Sequence, residues 1–567
     1  MKKLAVIFMA LVLSVTALTA CSDTSGQSSV SSDTAVSQTS ESENSMFADG
    51  DYKNVADEGV NATITLSGGE GTISDTTRGS SGSEVTITSK GTYRVTGSSE
   101  NVTINIDDDT QSGNIYLILD NVTMKNTENA CINVKACDKL IIQCVGENTL
   151  TYSSTDTSAK IDGAIYSKDD VTINGDGTLN VTSNMHGIVC NEDMKVTGAK
   201  LNVTAESIGI KAENSFKMDG GTVSVQSGHD GIQLSNNDNN SYFYMSDGTL
   251  TINADYDGIS VKAGDGSTTF TGYVELAGGT ADIISGGGSV NSKSDTSQKG
   301  IKCDGDIKLS ETKLMVSSAD DAVHGNANIT VDSGDISLSS SDDGMTASGT
   351  ITVNNGTLDI SKSYEGIEAE TVIINDGKVS VISSDDGINS AGGSDTNAND
   401  ENMWSESSSG NITINGGYIY VNASGDGLDS NGSIYVTGGT TIVEGSTTGG
   451  NGALDNGDGR DCVASITGGT VLALGTTDMA VNFDTGTQCS ALVDISGTGD
   501  TEITVDDGSD FKFTATKNFA CAVYSSPSMT QGNSYTLTAG TNTATLDFSS
   551  DLYYSNVHSM GIGGFGR

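Results

Sequence analysis

The sequence predicts an all-β protein that forms a right-handed parallel β-helix, a solenoid with about 22 residues and three short strands per coil. The first observation is a repeat: units of 22, 22, 22 and 21 residues begin with KGI, DAV, DGM and EGI, at residues 299–320, 321–342, 343–364 and 365–385. The second is that each unit contains short runs in which apolar and polar residues alternate, as in strands. The third is a single proline in 567 residues and no helical periodicity.

Unit 343–364 illustrates the elements of one coil. Its runs GMTA, TITV and LDI predict three strands, and SG and NNG between them predict turns. The apolar residues are expected to point inward and stack between coils, so that stability is collective and each end needs a cap. Residues 501–553 alternate strongly and predict a C-terminal β cap. A set of β-sandwich modules is the alternative, but it does not need a 22-residue frame, and the GGxGxDxUx repeat of calcium-binding rolls is absent.

The N-terminus predicts export and lipid attachment. Residues 1–20 have a basic start and an apolar run typical of a signal peptide, and Leu18–Cys21 match a bacterial lipobox. We expect a mature chain that is lipidated at Cys21 and anchored outside the cell, with residues 21–54 as a Ser/Thr-rich tether. An ordinary signal peptide cleaved near Ala20 is the alternative. The β-helix is predicted over 55–500 and a disordered Gly-rich tail over 554–567.

Composition narrows the class of ligand. The formal net charge of −47 disfavours nucleic acid and anionic membrane surfaces and favours cations. The eight cysteines after Cys21 contain no C-x-x-C pair, which argues against a zinc knuckle. Burial of these cysteines in the core and a disulfide such as Cys462–Cys489 both remain open.

Acidic residues recur at the start of the repeat, as in SSDDGI at 383–388. Residues one period apart should stack about 4.8 Å from each other, so these carboxylates should repel unless a cation lies between them. Calcium prefers six to eight oxygen ligands and tolerates irregular geometry. The alternative is that Asp-Gly is only good turn chemistry. The predicted calcium ligands are Asp320, Asp321, Asp342, Asp343, Asp385, Asp386, Asp426, Asp429 and Asp455.

Several stretches resemble a known family. The SDDGI repeats, SGDGLDSNGSIYVTGGTTIVEG at 424–445, NGALDNGDG at 451–459 and KNFACAVYSSPSMTQGNSYTL at 517–537 resemble the bacterial carbohydrate-binding β-helix lipoproteins. The resemblance covers roughly residues 55–545. It implies a fold similar to that of pectate lyases and calcium-dependent binding of cellulose-like or pectin-like polysaccharides.

Three functions follow as hypotheses. The first is a non-catalytic, calcium-dependent polysaccharide-binding protein of the cell surface that favours an acidic polymer such as pectin. Its candidate sugar contacts are Trp404, in the inserted segment 391–410, and Tyr418 and Tyr420, which share one strand face. The second is a polysaccharide lyase with Lys299 or Lys302 as the base, and His324 nearby. The third is a structural adhesin rod without a defined ligand.

Overall fold

The computed structural model describes residues 46–156, 158–264, 269–391, 410–457, 459 and 461–557. They form one four-residue helix, α1 (Asp49–Tyr52), and fifty strands. No helix in these ranges is both long and apolar enough to cross a membrane. The predicted signal peptide, the lipidation site Cys21, most of the tether, the Gly-rich tail from residue 558 and Trp404 lie outside the described residues.

The strands in the first part of the chain are β1 Ala62–Gly68, β2 Glu70–Ile73, β3 Gly79–Ser80, β4 Glu84–Ile87, β5 Gly91–Glu100, β6 Thr103–Asp107, β7 Ile115–Asn126, β8 Ile132–Ala136, β9 Lys139–Val145, β10 Glu147–Tyr152, β11 Gly163–Ser167, β12 Asp170–Gly175, β13 Thr178–Ser183, β14 His186–Cys190, β15 Asp193–Val196, β16 Lys200–Ala205, β17 Ile210–Ala212, β18 Ser215–Ser227, β19 Ile232–Leu234, β20 Tyr242–Ala254, β21 Ile259–Val261, β22 Tyr273–Leu276 and β23 Thr280–Ser285.

The strands in the second part are β24 Ile301–Cys303, β25 Asp306–Leu309, β26 Lys313–Ser318, β27 Val323–Gly325, β28 Ile329–Val331, β29 Asp335–Ser340, β30 Met345–Val353, β31 Thr357–Lys362, β32 Ile367–Ile374, β33 Lys378–Ser383, β34 Ile388–Ser390, β35 Ile412–Ile414, β36 Tyr418–Ala423, β37 Leu428–Ser430, β38 Ile434–Val436, β39 Thr440–Glu444, β40 Leu454–Asn456, β41 Ala464–Ile466, β42 Thr470–Gly475, β43 Thr485–Gly486, β44 Ser490–Gly497, β45 Glu502–Val505, β46 Lys512–Thr514, β47 Phe519–Ser525, β48 Ser534–Ala539, β49 Asn542–Asp547 and β50 Tyr553–Ser555.

Most strands pair in parallel with the equivalent strand of the next repeat. Three ladders result, which we call ladders one, two and three. Ladder one contains β24, β27, β30, β32, β34, β37 and β40. Ladder two contains β22, β25, β28, β30, β32, β35 and β38. Ladder three contains β23, β26, β29, β31, β33, β36 and β39. In ladder one, the successive partners Ile301, Val323 and Met345 are fully buried and continue one apolar core.

The predicted fold, a regular right-handed parallel β-helix with three separate short strands per coil, is wrong. The strands join one continuous 46-stranded sheet, in which long strands such as β18 and β20 each pair through two ladders. The reason is local: Gly220 and Gly221 adopt positive φ inside β18, so the chain bends there while pairing continues on both sides. Antiparallel pairs also occur near both ends of the described chain, between β1 and β2 and between β42 and β47. A uniform parallel solenoid lacks such pairs.

The segment predicted as a C-terminal β cap, residues 501–553, contributes strands to two sheets. Strands β45, β46, β48 and β49 do form a small antiparallel sheet with its own apolar cluster. However, β47 and β50, which also follow residue 500, belong to the large sheet through β42 and β44. The C-terminal segment therefore continues the main sheet, because alternating residues in β47 supply apolar side chains to both clusters.

Candidate functional site

The recurring acidic residues lie just before the strands of ladder one and form a continuous column. In this column the backbone nitrogens of Gly344, Gly366 and Gly387 donate to the carbonyl oxygens of Glu365, Asp386 and Asp426, at 2.9, 3.0 and 2.9 Å. The acidic side chains also bond along the column, since Asp386 Oδ1 accepts the N–H of Asp426 at 2.6 Å. The Asp-Gly repeat thus has a structural role wherever it occurs.

The glycine of this motif is needed for space. A Cβ atom on Gly387 would lie 2.2 Å from Val421 Cγ1 and 2.5 Å from the carbonyl oxygen of Gly427. The backbone of Gly387 is not in the left-handed region. This glycine therefore lets neighbouring repeats approach closely.

Within the column, two groups of carboxylates are compact enough to hold a cation. In each group, one carboxylate oxygen from every member lies within 4.8 Å of the others. The first carboxylate group consists of Asp320, Asp321 and Asp342. The second carboxylate group consists of Asp386, Asp426 and Asp429.

The first carboxylate group already contains positive charge from the protein. Lys299 Nζ lies 3.1 Å from Asp320 and also donates to Asp321, and all three side chains are buried. Lys293, from the segment between β23 and β24, contacts Asp342 and lies 3.6 Å from Asp320. These ammonium groups occupy the positions in which a divalent cation would otherwise balance the carboxylates.

His324 completes the first group from the beginning of ladder one's strand β27. Its Nδ1 lies 2.7 Å from Asp321 Oδ2, and its Nε2 lies 3.0 Å from Asn326 Oδ1. Burial opposes charge on Asp321, but the hydrogen bond to His324 and the ammonium of Lys299 outweigh burial and lower the pKa of Asp321. Asp321 is therefore a charged, fully paired carboxylate.

Asp343, also predicted as a ligand, lies beside the first group, and its backbone N–H donates to Asp321 Oδ1 at 3.2 Å. Burial, followed by the charges of Asp321 and Asp342, raises the pKa of Asp343 to about 10. In the next repeat, burial and Glu368 raise the pKa of Glu365 to about 8. Both residues lie between the two groups along the column.

The second carboxylate group has a different environment. None of Asp386, Asp426 and Asp429 forms an ion pair with a residue that the structure describes. Burial is the main cause that raises the pKa of Asp386 and of Asp426 to about 6, and the pKa of Asp429 to about 8. Neighbouring carboxylates raise each of these pKa values further. A bound cation would therefore offset both the cost of burying the charges and the repulsion between them.

Asn389 adds a neutral oxygen next to the second group. It is 6 % exposed and pairs in register with Asp429 in ladder one. Its Nδ2 donates to Glu365 at 2.8 Å, while its Oδ1 has no hydrogen-bond partner. A buried oxygen without a partner is unfavourable unless a donor or cation satisfies it.

The two remaining predicted ligands lie at the edge of the second group. Asp455 pairs in register with Asp429, and its charge contributes to the raised pKa of Asp429. Asp385 is hydrogen-bonded to the hydroxyl of Tyr364 and precedes Asp386 in the chain. Neither belongs to the compact set of three.

Lys299, one of the two lysines predicted for lyase chemistry, does not have the environment of a base. Lys299 is held between two carboxylates, which favour its protonated form. Lys302 Nζ donates to Ser297 Oγ at 3.3 Å and pairs in register with His324. A general base for proton abstraction requires the neutral amine, which the carboxylates around Lys299 oppose.

The two predicted aromatic contacts differ in accessibility. Tyr418 is 42 % exposed on the outer face of β36, beside Lys378 of β33. Tyr420 donates its hydroxyl to Glu444 at 2.7 Å, and its ring lies 6.2 Å from that of Phe513. Tyr420 therefore attaches the C-terminal segment to ladder three, and only Tyr418 presents an open surface.

Sequence reasoning missed Lys293 and Asn389. Lys293 lies 49 residues before its partner Asp342, in a segment without periodicity, so no local pattern indicates the contact. Asn389 did have a signal. Three residues after the column carboxylate, the first group has His324. At the same position the second group has Asn389 and Asp429, whose side chains both offer an oxygen ligand.

Comparisons with known proteins identify a family for this chain. The model of the family described as carbohydrate-binding domain-containing protein matches residues 81–344 and 339–543. The chain is 35% identical over 126 residues to a protein of the same description from Acetivibrio thermocellus, which is 21% of this chain and 44% of that relative. It thus spans less than half the length of this curated relative. The solved polysaccharide lyase-like protein from C. thermocellum, a gadolinium derivative, is 24% identical, with a TM-score of 0.34 over 52% of this chain and 97% of that one.

Proposed function

Because the chain belongs to the family of carbohydrate-binding domain-containing proteins, we propose that it is a non-catalytic, calcium-dependent polysaccharide-binding protein. The proposed ligand is an acidic plant polysaccharide such as pectin. The proposed location is the outside of a bacterial cell, with a lipid anchor at Cys21 as the contact with the membrane. No contact with nucleic acid is part of this proposal, since the net charge of −47 repels it.

The second carboxylate group carries the calcium proposal. Asp386, Asp426 and Asp429 offer hard oxygen donors within 4.8 Å of one another, which is the donor type that calcium prefers. The unsatisfied Oδ1 of Asn389 is a further oxygen at the same place. These four side chains would hold the ion, and calcium would supply charge that a carboxylate of the polymer can share.

The first carboxylate group does not fit a divalent ion in the same way. Lys299 and Lys293 already neutralise Asp320, Asp321 and Asp342, and an ion would have to displace a buried ammonium. We therefore restrict the proposed calcium site to the second group. Asp320, Asp321, Asp342 and Asp343 then have a structural role.

A binding function is favoured over lyase activity by the state of Lys299. An ammonium held by two buried carboxylates does not accept a proton from a sugar. The lyase and adhesin alternatives both remain testable in the same preparation. Accumulation of an unsaturated, ultraviolet-absorbing product from polygalacturonate would support a lyase, and absence of binding to any glycan would support an adhesin.

The experiment is a sedimentation assay of the mature protein with insoluble polygalacturonate, in calcium and in chelator. Binding that requires calcium, without release of unsaturated product, is the expected result. Equal binding in chelator would refute the calcium bridge. The control is Asp320→Asn/Asp342→Asn, which alters the first group and should bind as the native protein does.

A further inference from the structure

Two exposed apolar side chains lie in the turns that lead from ladder three into ladder one. Tyr364 is 48 % exposed and Val290 is 89 % exposed. Ser289 and Asn291, on either side of Val290, accept hydrogen bonds from Ser341, which precedes Asp342 of the first carboxylate group. Ile284 in β23 and Ile382 in β33 are exposed in ladder three itself, with three strands between them.

Tyr364 lies in line with the carboxylates. Its backbone N–H donates to the Asp342 carbonyl at 2.7 Å, and its own carbonyl accepts from Asp385 N–H at 2.9 Å, so it occupies the position that Asp residues hold in the adjacent repeats. Its hydroxyl is hydrogen-bonded to Asp385, which is the main cause that raises the pKa of Tyr364 to about 12. The bond fixes an exposed aromatic ring, and a fixed ring loses little conformational entropy when a ligand covers it.

Lys362 supplies positive charge two residues earlier. Its exposed side chain donates to the Ser289 carbonyl and, at 3.3 Å, to the Ser341 hydroxyl, both of which are neutral. Lys293 and Lys299, in contrast, are paired with carboxylates. Lys362 is therefore a cation whose protein partners leave its charge available to an anionic ligand.

We propose that Lys362 and Tyr364 form a binding site for a uronic acid unit of an acidic polysaccharide. The apolar face of the sugar ring stacks on Tyr364, and the sugar carboxylate pairs with Lys362. This inference rests on the proposed function and assigns it a face of the molecule. The polymer then continues along the column past Asp385 to the second carboxylate group, where calcium holds further carboxylates.

The test measures binding of the mature protein to polygalacturonate and to a neutral cellulose-like glucan by affinity electrophoresis, with calcium present. The variants are Tyr364→Ala and Lys362→Met. The controls are Tyr435→Ala, an exposed tyrosine in β38 of ladder two, and Lys378→Met, an exposed lysine in β33 of ladder three. Thermal melting verifies that each variant folds.

We expect Tyr364→Ala to weaken polygalacturonate binding by about tenfold, which is typical when a central contact residue is lost. Lys362→Met should weaken binding of polygalacturonate but leave any binding of the neutral glucan unchanged, and both controls should behave as the native protein. Native binding that both variants retain would overturn this site while leaving the proposed function intact. Failure of the native protein to bind either polymer would refute the proposed function and this inference with it.

Discussion

The two carboxylate groups lie along the same column, yet lysine side chains contact only the first. In the first group, Asp321 has a lowered pKa because His324 and Lys299 offset its burial. In the second group, Asp386 and Asp429 have pKa values raised to about 6 and about 8, since burial and carboxylate neighbours are not offset by an ammonium. Asp342 of the first group has a pKa raised to about 6, mainly by burial, so the two groups differ in their ammonium contacts and not in every carboxyl. The comparison shows that the repeat motif positions carboxylates, while residues elsewhere decide whether an ammonium group balances them.

Removal of Lys299 should have the largest effect. Lys299→Met leaves Asp320 and Asp321 buried without their main counter-charge, and loss of one partner of a buried pair costs about 3–5 kcal/mol in free energy of unfolding. Chemical denaturation at pH 7 measures this loss, with Lys302→Met as the control. Calcium should restore part of the stability of Lys299→Met, because the first group then resembles the second. A loss below about 1 kcal/mol would contradict the assigned role of Lys299.

Calcium should stabilise the native protein in a pH-dependent manner. In the metal-free protein the raised pKa values of the second group favour folding below about pH 4, and this contribution is lost as pH rises through about 6 and about 8. Calcium binds the deprotonated carboxylates, so it restores stability above that window. At a hundredfold excess over its Kd, calcium should add about 2.7 kcal/mol at pH 8.5 and much less at pH 5. Thermal melting in calcium and in chelator checks this, and an equal gain at both pH values would contradict it.

Gly387→Ala should disturb the second group through packing. The new methyl group would overlap Val421 and the Gly427 carbonyl, and such overpacking costs about 1–3 kcal/mol. Gly59→Ala is the control, since a Cβ there has no heavy atom within 4 Å. Denaturation midpoints measure both effects. If Gly387→Ala is as stable as Gly59→Ala, the close approach of neighbouring repeats at this position is not essential.

Asn389 should have the smallest effect, on calcium affinity alone. Asn389→Leu removes the oxygen beside Asp429 and should weaken calcium binding by about tenfold, as expected for one lost ligand contact. Thr346→Val changes the equivalent ladder position next to Asp343 and serves as the control. Unchanged calcium affinity in Asn389→Leu would exclude Asn389 as a ligand.

The sequence allowed prediction of the strands and of their in-register stacking, because alternation and a 22-residue period report directly on burial. Ile301, Val323 and Met345 are partners as this period requires. It did not allow prediction of the continuous sheet, in which β18 pairs with β20 on both sides of Gly220 and Gly221 with a shift in register. The sequence also did not predict the pairing of the C-terminal strand β47, because its antiparallel partners β42 and β44 follow no repeat period.

At the candidate site, the repeat predicted that carboxylates stack, but not that Asp343, Asp385 and Asp455 lie outside the compact groups, nor which carboxylates are neutralised. Asp321 and Asp386 occupy the same place in the repeat, and the contact of Lys293 with Asp342 spans 49 residues. Tyr420 was predicted as a sugar contact from its strand face, yet Glu444 and the C-terminal segment cover it. Contacts between residues far apart in the chain decide which carboxylates are neutralised and whether Tyr420 is covered. Such contacts leave no periodic pattern in the sequence.

The most direct test of the account is calorimetric titration of calcium into the chelator-treated mature protein and two double variants. These are Asp386→Asn/Asp429→Asn in the second group and Asp320→Asn/Asp342→Asn in the first. The account predicts stoichiometric binding to the native protein, loss of that binding in the second-group variant and retention in the first-group variant. Retention in the second-group variant, or loss only in the first-group variant, would contradict it.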